Sequence, residues 1–215
     1  MNAHTKAVVA KMLLSVDAVK LSPCKPFTWA SGILSPIYCD NRRTLSYPMA
    51  RGYIKMALAQ AVAEQYPSAE MIAGVATGAI SWGVMVAEEL GLPFVYVRPK
   101  PKDHGLENLI EGYLPEGSHT VVIEDLISTG GSSLKAVEAL RDAGAKVEGL
   151  VAVYTHGFEE AVHRFEEAKC PMDTLSDYDA VLEAASAQQL VDTKTKEVLA
   201  TWRKDPHHWQ APTAI

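Results

Sequence analysis

The most constraining feature of this sequence is an apolar run that ends in two adjacent acids and continues into a turn of hydroxyl residues and glycines. It reads VVIEDLISTGGSSL over residues 121–134. An apolar run, a small polar turn and a helical pattern, in that order, are typical of a buried strand, a loop and a helix N-terminus. We therefore predict a strand–loop–helix unit here, and the rest of the chain is interpreted around it.

The turn after the acids has the chemistry of a phosphate site. A helix N-terminus offers backbone N–H groups, the glycines let an anion approach, and Ser128, Thr129 and Ser132 add hydroxyl donors. Glu124 and Asp125 do not suit phosphate but do suit ribose hydroxyls or a hydrated metal, so the whole stretch fits a sugar phosphate. It matches neither GxxxxGK[ST] nor GxGxxG. The alternative is an ordinary turn in which one acid lies beside a helix N-cap.

Short apolar runs alternate with helical patterns from residue 71 onward. Strands are predicted over residues 71–76, 93–97, 120–124, 147–154 and 171–175, with helices between and after them. This alternation predicts an α/β fold with an open parallel sheet of about five strands flanked by helices. Before it, the patterns predict a packing helix over 5–20, a β-ribbon over 27–42 and a helix over 48–65.

The length of 215 residues fits one domain with a small attached part. We expect residues 1–66 to form a helix, a hood ribbon and a second helix. Residues 67–190 are expected to form the α/β core that binds the sugar phosphate, and residues 191–215 a C-terminal helix and tail.

A cationic segment interrupts the strand–helix rhythm between the second and third strands. It reads RPKPKDHGLEN over residues 98–108. This segment is predicted to be a long functional loop or β-ribbon. Its cations would offset an anionic leaving group, and His104 would donate to a leaving oxygen. The alternative is a charged segment that is simply solvated. The turn 76–79 either presents N–H groups to a pyrophosphate or is a plain turn. Loops after parallel strands meet at one edge of a sheet, so these segments are expected to share one ligand.

The charge balance and the cysteines exclude several classes of protein. The net charge of −6 and pI near 5.6 argue against a nucleic-acid binder that relies on bulk charge. No apolar run approaches the length of a membrane span, and the N-terminus is amphipathic rather than signal-like. Cys24, Cys39 and Cys170 form neither a disulfide framework nor a metal pattern. We expect a cytoplasmic protein without nucleic-acid or membrane partners.

Residues 122–132 resemble the phosphoribosyl-diphosphate (PRPP) motif of the type I phosphoribosyltransferases. Within that family, FTWASG at 27–32, SPIYCDNR at 35–42 and KPKDHG at 100–105 are similar to the orotate phosphoribosyltransferases. The resemblance covers most of the chain. It implies the family's open parallel sheet with a small N-terminal hood and a mobile loop or β-ribbon. It also implies a reaction, in which orotate and PRPP give orotidine 5′-phosphate and diphosphate, with Mg²⁺, in pyrimidine synthesis.

The same resemblance implies roles for particular residues. The PRPP contacts would be Arg98, Lys102, His104, Glu124, Asp125, Leu126, Ile127, Ser128, Thr129, Gly130, Gly131 and Ser132. Among these, Lys102, His104 and Asp125 would be catalytic, and Ser128 would also contact orotate. Mg²⁺ would be held mainly by PRPP oxygens and water rather than by side chains. In the family the loop serves the neighbouring subunit, which implies a homodimer that shares Arg98, Lys102 and His104 across its interface.

Three positions depart from the family pattern, and two other functions remain open. Leu34 stands where a lysine is usual in this subgroup, Pro99 where some members have lysine, and His156 near the place of an orotate-contacting arginine. One alternative is a phosphoribosyltransferase for a purine or another base, which would need a different hood. The other is a non-catalytic PRPP-sensing regulator, a class that commonly adds a DNA-binding domain.

Overall fold

Alternating strands and helices make up the part of the chain that the computed structural model describes, which is residues 1–29, 32–100 and 109–213. The helices are α1 (Ala3–Ser15), α2 (Pro48–Gln65), α3 (Ile80–Leu90), α4 (Gly131–Asp142), α5 (Glu159–Glu167), α6 (Tyr178–Ala187) and α7 (Thr193–Lys204), with a 3₁₀ helix at Asn41–Ser46. The strands are β1 (Val19–Leu21), β2 (Phe27–Thr28), β3 (Leu34–Ser35), β4 (Ile37–Cys39), β5 (Met71–Val75), β6 (Phe94–Val97), β7 (Ile110–Glu111), β8 (His119–Ile127), β9 (Lys146–Thr155) and β10 (Met172–Asp177).

Six strands form the main sheet in the order β10-β9-β8-β5-β6-β7. The first five are parallel, and β7 runs antiparallel to β6. The predicted parallel sheet of about five strands is therefore confirmed, with one short edge strand added. A strand of two residues leaves no periodic signal in a sequence, which explains why β7 was not predicted.

The central strand β8 continues beyond its neighbour β5. Pairing of β5 with β8 ends at Gly74 and Ile123, whereas pairing of β8 with β9 continues to Ile127 and Thr155. The prediction that this strand ends at Glu124 was wrong by three residues, because the residues after the acids find partners in β9. The acid pair consequently lies within a strand, at the carboxyl edge of the sheet, beyond the last pairing with β5.

Two small antiparallel pairs form the N-terminal hood. β2 pairs with β3, as the predicted ribbon requires, whereas β4 pairs with β1. The predicted helix over residues 5–20 was wrong at its end, since α1 stops at Ser15, Asp17 adopts φ +54° and β1 follows. Val16 and Val19 fit a helical period and a short strand equally well, so the apolar pattern did not separate the two.

Two buried apolar clusters, one on each face of the main sheet, hold the helices in place. Ile72, Val121 and Ile123 belong to the cluster that α1, α2, α3 and α6 cover, while Ala73 and Val122 belong to the one under α4 and α5. Successive strand residues therefore face opposite clusters, as the pleat of a strand requires.

Within the described ranges, none of the helices has the length and apolarity that crossing a membrane requires.

Candidate active site

Glu124 and Asp125 have different surroundings although they are adjacent. Glu124 is only 4% exposed. Its Oε2 accepts a hydrogen bond from Ser133 Oγ at 2.8 Å, and its Oε1 accepts one from the backbone N–H of Asp125 at 2.9 Å. Asp125 is half-buried, and its carboxylate lies against the turn after β5. The protein therefore holds the Glu124 carboxylate in place, while the Asp125 carboxylate is nearer to the surface.

Burial raises the pKa of both carboxyls. Desolvation, and then the negative charge of Asp125, raises the pKa of Glu124 well above its ordinary value, which the Ser133 hydrogen bond opposes. Desolvation also raises the pKa of Asp125, against the effects of its hydrogen bond with Glu124 and the charge of Arg42. A buried pair of this kind holds a proton more tightly than two exposed carboxyls. Hydroxyl donors or a cation brought by a substrate would relieve the cost of ionising it.

The hydroxyl- and glycine-rich turn lies between β8 and α4. Ser128 and Thr129 are half-buried, Ser132 is exposed, and Gly130 adopts φ +79°, a left-handed conformation that favours glycine. Gly130 is the N-cap of α4, and no side chain caps this helix. The N–H groups of its first turn, beginning at Gly131, are therefore left to an anion or to water.

Two residues of this stretch have core side chains. Ile127 is 1% exposed, and Leu126 packs against the cluster that α1, α2, α3 and α6 cover. The carbonyl of Ile127 accepts hydrogen bonds from the N–H of His156 at 3.1 Å and from Thr155 Oγ1 at 3.2 Å, which tie the start of the turn to the end of β9. A role of Leu126 or Ile127 in binding would therefore use the backbone.

The turn after β5 meets the acid pair. A Cβ atom at Gly78 would lie 2.2 Å from Oδ2 of Asp125, so only glycine leaves room for that carboxylate. The Ala76–Thr77 peptide bond of the same turn is cis. Ala79 is the N-cap of α3, and no side chain caps that helix either. The turn after β5 thus lies against the acid pair at the carboxyl edge of the sheet, and the sharing of one ligand by these loops stays a prediction.

The start of the cationic segment lies beside these loops. The Arg98 N–H donates to the carbonyl of Leu109 at 2.8 Å, and the Arg98 guanidinium lies 3.4 Å from Oε1 of Glu111. A cavity of about 700 Å³ is lined by Ala76, Arg98 and Ser132, among others. All three predicted loops therefore contribute to the lining of this cavity, whereas Glu124 and Asp125 do not line it.

Two predicted catalytic residues cannot be placed. The antiparallel pairing of β6 with β7 joins Val97 to Ile110 and brings the two ends of the cationic segment together. Lys102 and His104 belong to residues 101–108, which lie outside the described residues. Their roles stay predictions.

Three residues that adjoin the acid pair were given no role by the sequence. Asn41 Nδ2 donates to the backbone carbonyl of Asp125 at 2.5 Å, the charge of Arg42 lowers the pKa of Asp125, and Ser133 hydrogen-bonds Glu124. Ser133 follows the recognised turn, so its hydroxyl was a local signal. Asn41 lies 84 positions from Asp125, and only the tertiary fold brings them together.

An aromatic cluster holds the hood against the turn after β9. The Trp29 ring lies 4.9 Å from the ring of His156 and 5.7 Å from that of Trp202, and Trp202 Nε1 donates to the carbonyl of Leu34 at 3.0 Å. His156 is 1% exposed, and burial, assisted by the charge of Arg203, lowers its pKa to about 3. It is therefore neutral at physiological pH and does not replace the charge of an arginine.

The described residues contain no protein cage for a metal. Over residues 1–29, 32–100 and 109–213, no three side chains of His, Cys, Asp or Glu are grouped to hold an ion. Glu124 and Asp125 do offer carboxylate oxygens, the donor type that Mg²⁺ prefers. A cation at this place would need most of its oxygens from a substrate and from water.

Comparison with known proteins identifies the family. The profile of the phosphoribosyl transferase domain matches residues 53–189, which include the acid pair and the turn that follows it. The orotate phosphoribosyltransferase of Phocaeicola vulgatus is 57% identical over 202 residues, which cover 94% of this chain and 95% of that protein. This chain belongs to the orotate phosphoribosyltransferase family. The orotate phosphoribosyltransferase of Bacillus subtilis is 49% identical over 205 residues, covering 95% of both proteins.

Solved structures of orotate phosphoribosyltransferases have a similar fold. The enzyme from Aeropyrum pernix superposes with a TM-score of 0.74 at 30% identity, covering 83% of this chain and 98% of that one. The Mycobacterium tuberculosis enzyme in complex with PRPP gives a TM-score of 0.64 at 23% identity, covering 82% and 98%, which supports the fold alone. The family resemblance and the assignment as a pentosyltransferase enzyme are thus confirmed, and so is the predicted fold class.

Proposed function

We propose that this orotate phosphoribosyltransferase family member transfers the 5-phosphoribosyl group of PRPP to orotate. The products are orotidine 5′-phosphate and diphosphate, and the reaction belongs to pyrimidine synthesis. The observation that carries the proposal is the buried acid pair that leads through a hydroxyl-rich turn into an uncapped helix N-terminus. High identity to orotate phosphoribosyltransferases over 94% of the chain supports orotate as the base.

The arrangement assigns different parts of PRPP to different groups. The uncapped N–H groups of α4, with Ser128, Thr129 and Ser132, suit the dianionic 5′-phosphate. The half-buried Asp125, whose carboxylate lies against the turn after β5, suits the ribose hydroxyls, and Ser133 holds the Glu124 carboxylate next to it in the sequence. In the reaction the bond from ribose C1 to the diphosphate oxygen breaks, the bond from C1 to N1 of orotate forms, and the proton of N1 leaves the base while the departing diphosphate oxygen can take up a proton. Two nearby carboxyls stabilise the positive charge that develops on the ribose ring in between.

Mg²⁺ is proposed to accompany PRPP rather than to occupy a site of its own. The acid pair provides oxygens of the right type, but no three-ligand group exists in the described part of the chain. Bound to the diphosphate, Mg²⁺ would offset the charge of the leaving group. The predicted cytoplasmic location suits this chemistry and stays a prediction.

The diphosphate needs positive charge, and two arginines near the site already have acidic partners. Arg98 already faces Glu111, and Arg42 is paired with Asp40 at 2.6 Å. Lys102 is therefore the natural additional cation, with His104 as the donor to the leaving oxygen. We propose that this loop closes over the diphosphate of the neighbouring subunit in a homodimer, where it excludes water from the activated ribose.

Mixed dimers test the shared loop. Lys102→Ala and Asp125→Asn subunits are each expected to be nearly inactive alone. If the loop acts across the interface, mixing them creates one site with a normal Asp125 and the normal loop of its neighbour, so activity reappears. A loop that acts within its own subunit leaves both sites defective, and mixtures that stay inactive would contradict the proposal.

The loss of orotate absorbance upon addition of PRPP and Mg²⁺ tests the function itself. Rapid loss that depends on both additions is expected. Turnover with a purine but not with orotate would show that the enzyme acts on a different base. Binding of PRPP without turnover of any base would favour the non-catalytic PRPP-sensing regulator.

A further inference from the structure

The side chain of Asn41 joins the hood to the strand that carries the acid pair. Asn41 is fully buried, and its Nδ2 donates to the backbone carbonyl of Asp125. It is the first residue of the 3₁₀ helix that follows β4, so its backbone belongs to the hood. One hydrogen bond therefore connects two parts of the molecule that bind different substrates in the proposed reaction.

The carbonyl of Asp125 has a specific need for this donor. Pairing of β5 with β8 ends at Ile123, two residues before Asp125. The N–H of Asp125 is satisfied by the carboxylate of Glu124, and its carbonyl by Asn41. These two side chains take over the hydrogen bonds that a neighbouring strand would make. A backbone group left unpaired at such a half-buried position is costly, and the strand end would shift to find another partner.

The orientation of the Asn41 amide is also fixed. Its Oδ1 accepts a hydrogen bond from Cys39 Sγ at 3.2 Å, which leaves the amide nitrogen directed at Asp125. Burial, and then the charges of Asp125 and Asp40, raise the pKa of the Cys39 thiol, so it keeps its proton and remains a donor. Cys39, Asn41 and the carbonyl of Asp125 thus form a directed chain of hydrogen bonds.

We propose that Asn41 is a positioning residue for phosphoribosyl transfer, whose amide, oriented by Cys39, fixes the backbone of Asp125. The inference rests on the proposed function, because it takes the Asp125 carboxylate to be the group that meets the ribose. It assigns no direct contact between Asn41 and a substrate. Its consequence is that PRPP is held less well, and reacts more slowly, when the amide donor is lost.

Two substitutions of Asn41 separate the donor from the shape. Asn41→Leu keeps the approximate size but removes the donor, and Asn41→Ala removes both. A displaced reacting group costs up to about 100-fold in rate, so we expect kcat/KM for PRPP to fall by about 10- to 100-fold in both variants. The fall should appear in kcat and in KM for PRPP, with a smaller change in KM for orotate.

Thr44→Ala is the matched control. Thr44 is fully buried in the same 3₁₀ helix, and its Oγ1 donates to the carbonyl of Asn41 at 2.5 Å without touching Asp125. The Tm of Thr44→Ala should fall about as much as that of Asn41→Ala, while its kcat/KM stays within about threefold of the wild type. If all three variants lose activity only in proportion to Tm, or if Asn41→Leu retains wild-type kcat/KM, the positioning role is refuted.

A second pair of variants keeps the test valid if the Asn41 variants do not fold. Cys39→Ser retains a donor to the amide oxygen and should stay within about threefold of the wild type, whereas Cys39→Ala should lose roughly threefold to tenfold. Equal activity of the two contradicts the proposal. PRPP affinity measured by calorimetry needs no base, so weaker binding in Cys39→Ala supports the inference even if orotate proves to be the wrong acceptor.

Discussion

Substitution of Gly78 by alanine should slow the enzyme by about 100-fold while leaving its fold intact. The added Cβ would lie 2.2 Å from Oδ2, 2.4 Å from Cγ and 2.7 Å from Oδ1 of Asp125, whereas ordinary contacts begin near 3.4 Å. The carboxylate must therefore move by about 1 Å or more, and a displacement of that size costs about 100-fold in rate. This corresponds to about 2.7 kcal/mol of transition-state stabilisation. The side chain is half-buried and can rotate, so Tm should change little.

Gly52→Ala is the control for this experiment. Gly52 lies within α2, and a Cβ there would meet nothing within 4 Å. Its activity should match the wild type, and its stability should rise by about 0.5–1 kcal/mol because alanine is the better helix former. The measurements are kcat/KM for PRPP, followed by orotate absorbance, and Tm. If kcat/KM of Gly78→Ala stays within about threefold of the wild type, the close contact with a functional Asp125 is refuted. A large fall in Tm would show that the clash is not confined to the carboxylate.

Two further predictions concern the acid pair and the cationic loop. Burial raises the pKa of Glu124, so the folded ligand-free protein binds more protons there than the unfolded chain, and the cost of ionising this group grows as the pH rises above the ordinary carboxyl range. Glu124→Gln should therefore raise Tm at pH 8 by roughly 2–8 °C, which corresponds to a gain of about 1–2 kcal/mol in the free energy of unfolding. Thermal scans should show that this gain vanishes near pH 4. A gain that does not depend on pH, or a lower Tm, would contradict the raised pKa of Glu124. Lys102→Ala should reduce kcat far more than it weakens orotate binding measured by calorimetry, and equal losses would show that Lys102 does not act on the transition state.

Local signals predicted the elements that are defined by their own residues. The predicted helix over 48–65 matches α2, because Pro48 suits a first helical turn, and the helix predicted between the first two strands is α3, which Gly91 ends at φ +66°. The five parallel strands were equally visible as apolar runs. The phosphate-type turn was found because its acids, hydroxyls and glycines are contiguous.

Features that depend on distant partners were not predictable. β8 reaches Ile127 only because β9 pairs with it, and β4 finds β1 rather than β3 across the hood. The contact of Gly78 with Asp125 follows from two adjacent parallel strands, yet the sequence left this turn open between a binding loop and a plain turn. Asn41 lay within a recognised segment, but its partner is 84 positions away.

A crystal structure of the complex with orotidine 5′-phosphate tests the central claim most directly. The account predicts that the 5′-phosphate contacts the N–H groups at the start of α4, that the ribose hydroxyls face Asp125, and that the base lies under the hood. A phosphate bound away from residues 128–132, or a ribose with no contact to the acid pair, would contradict it.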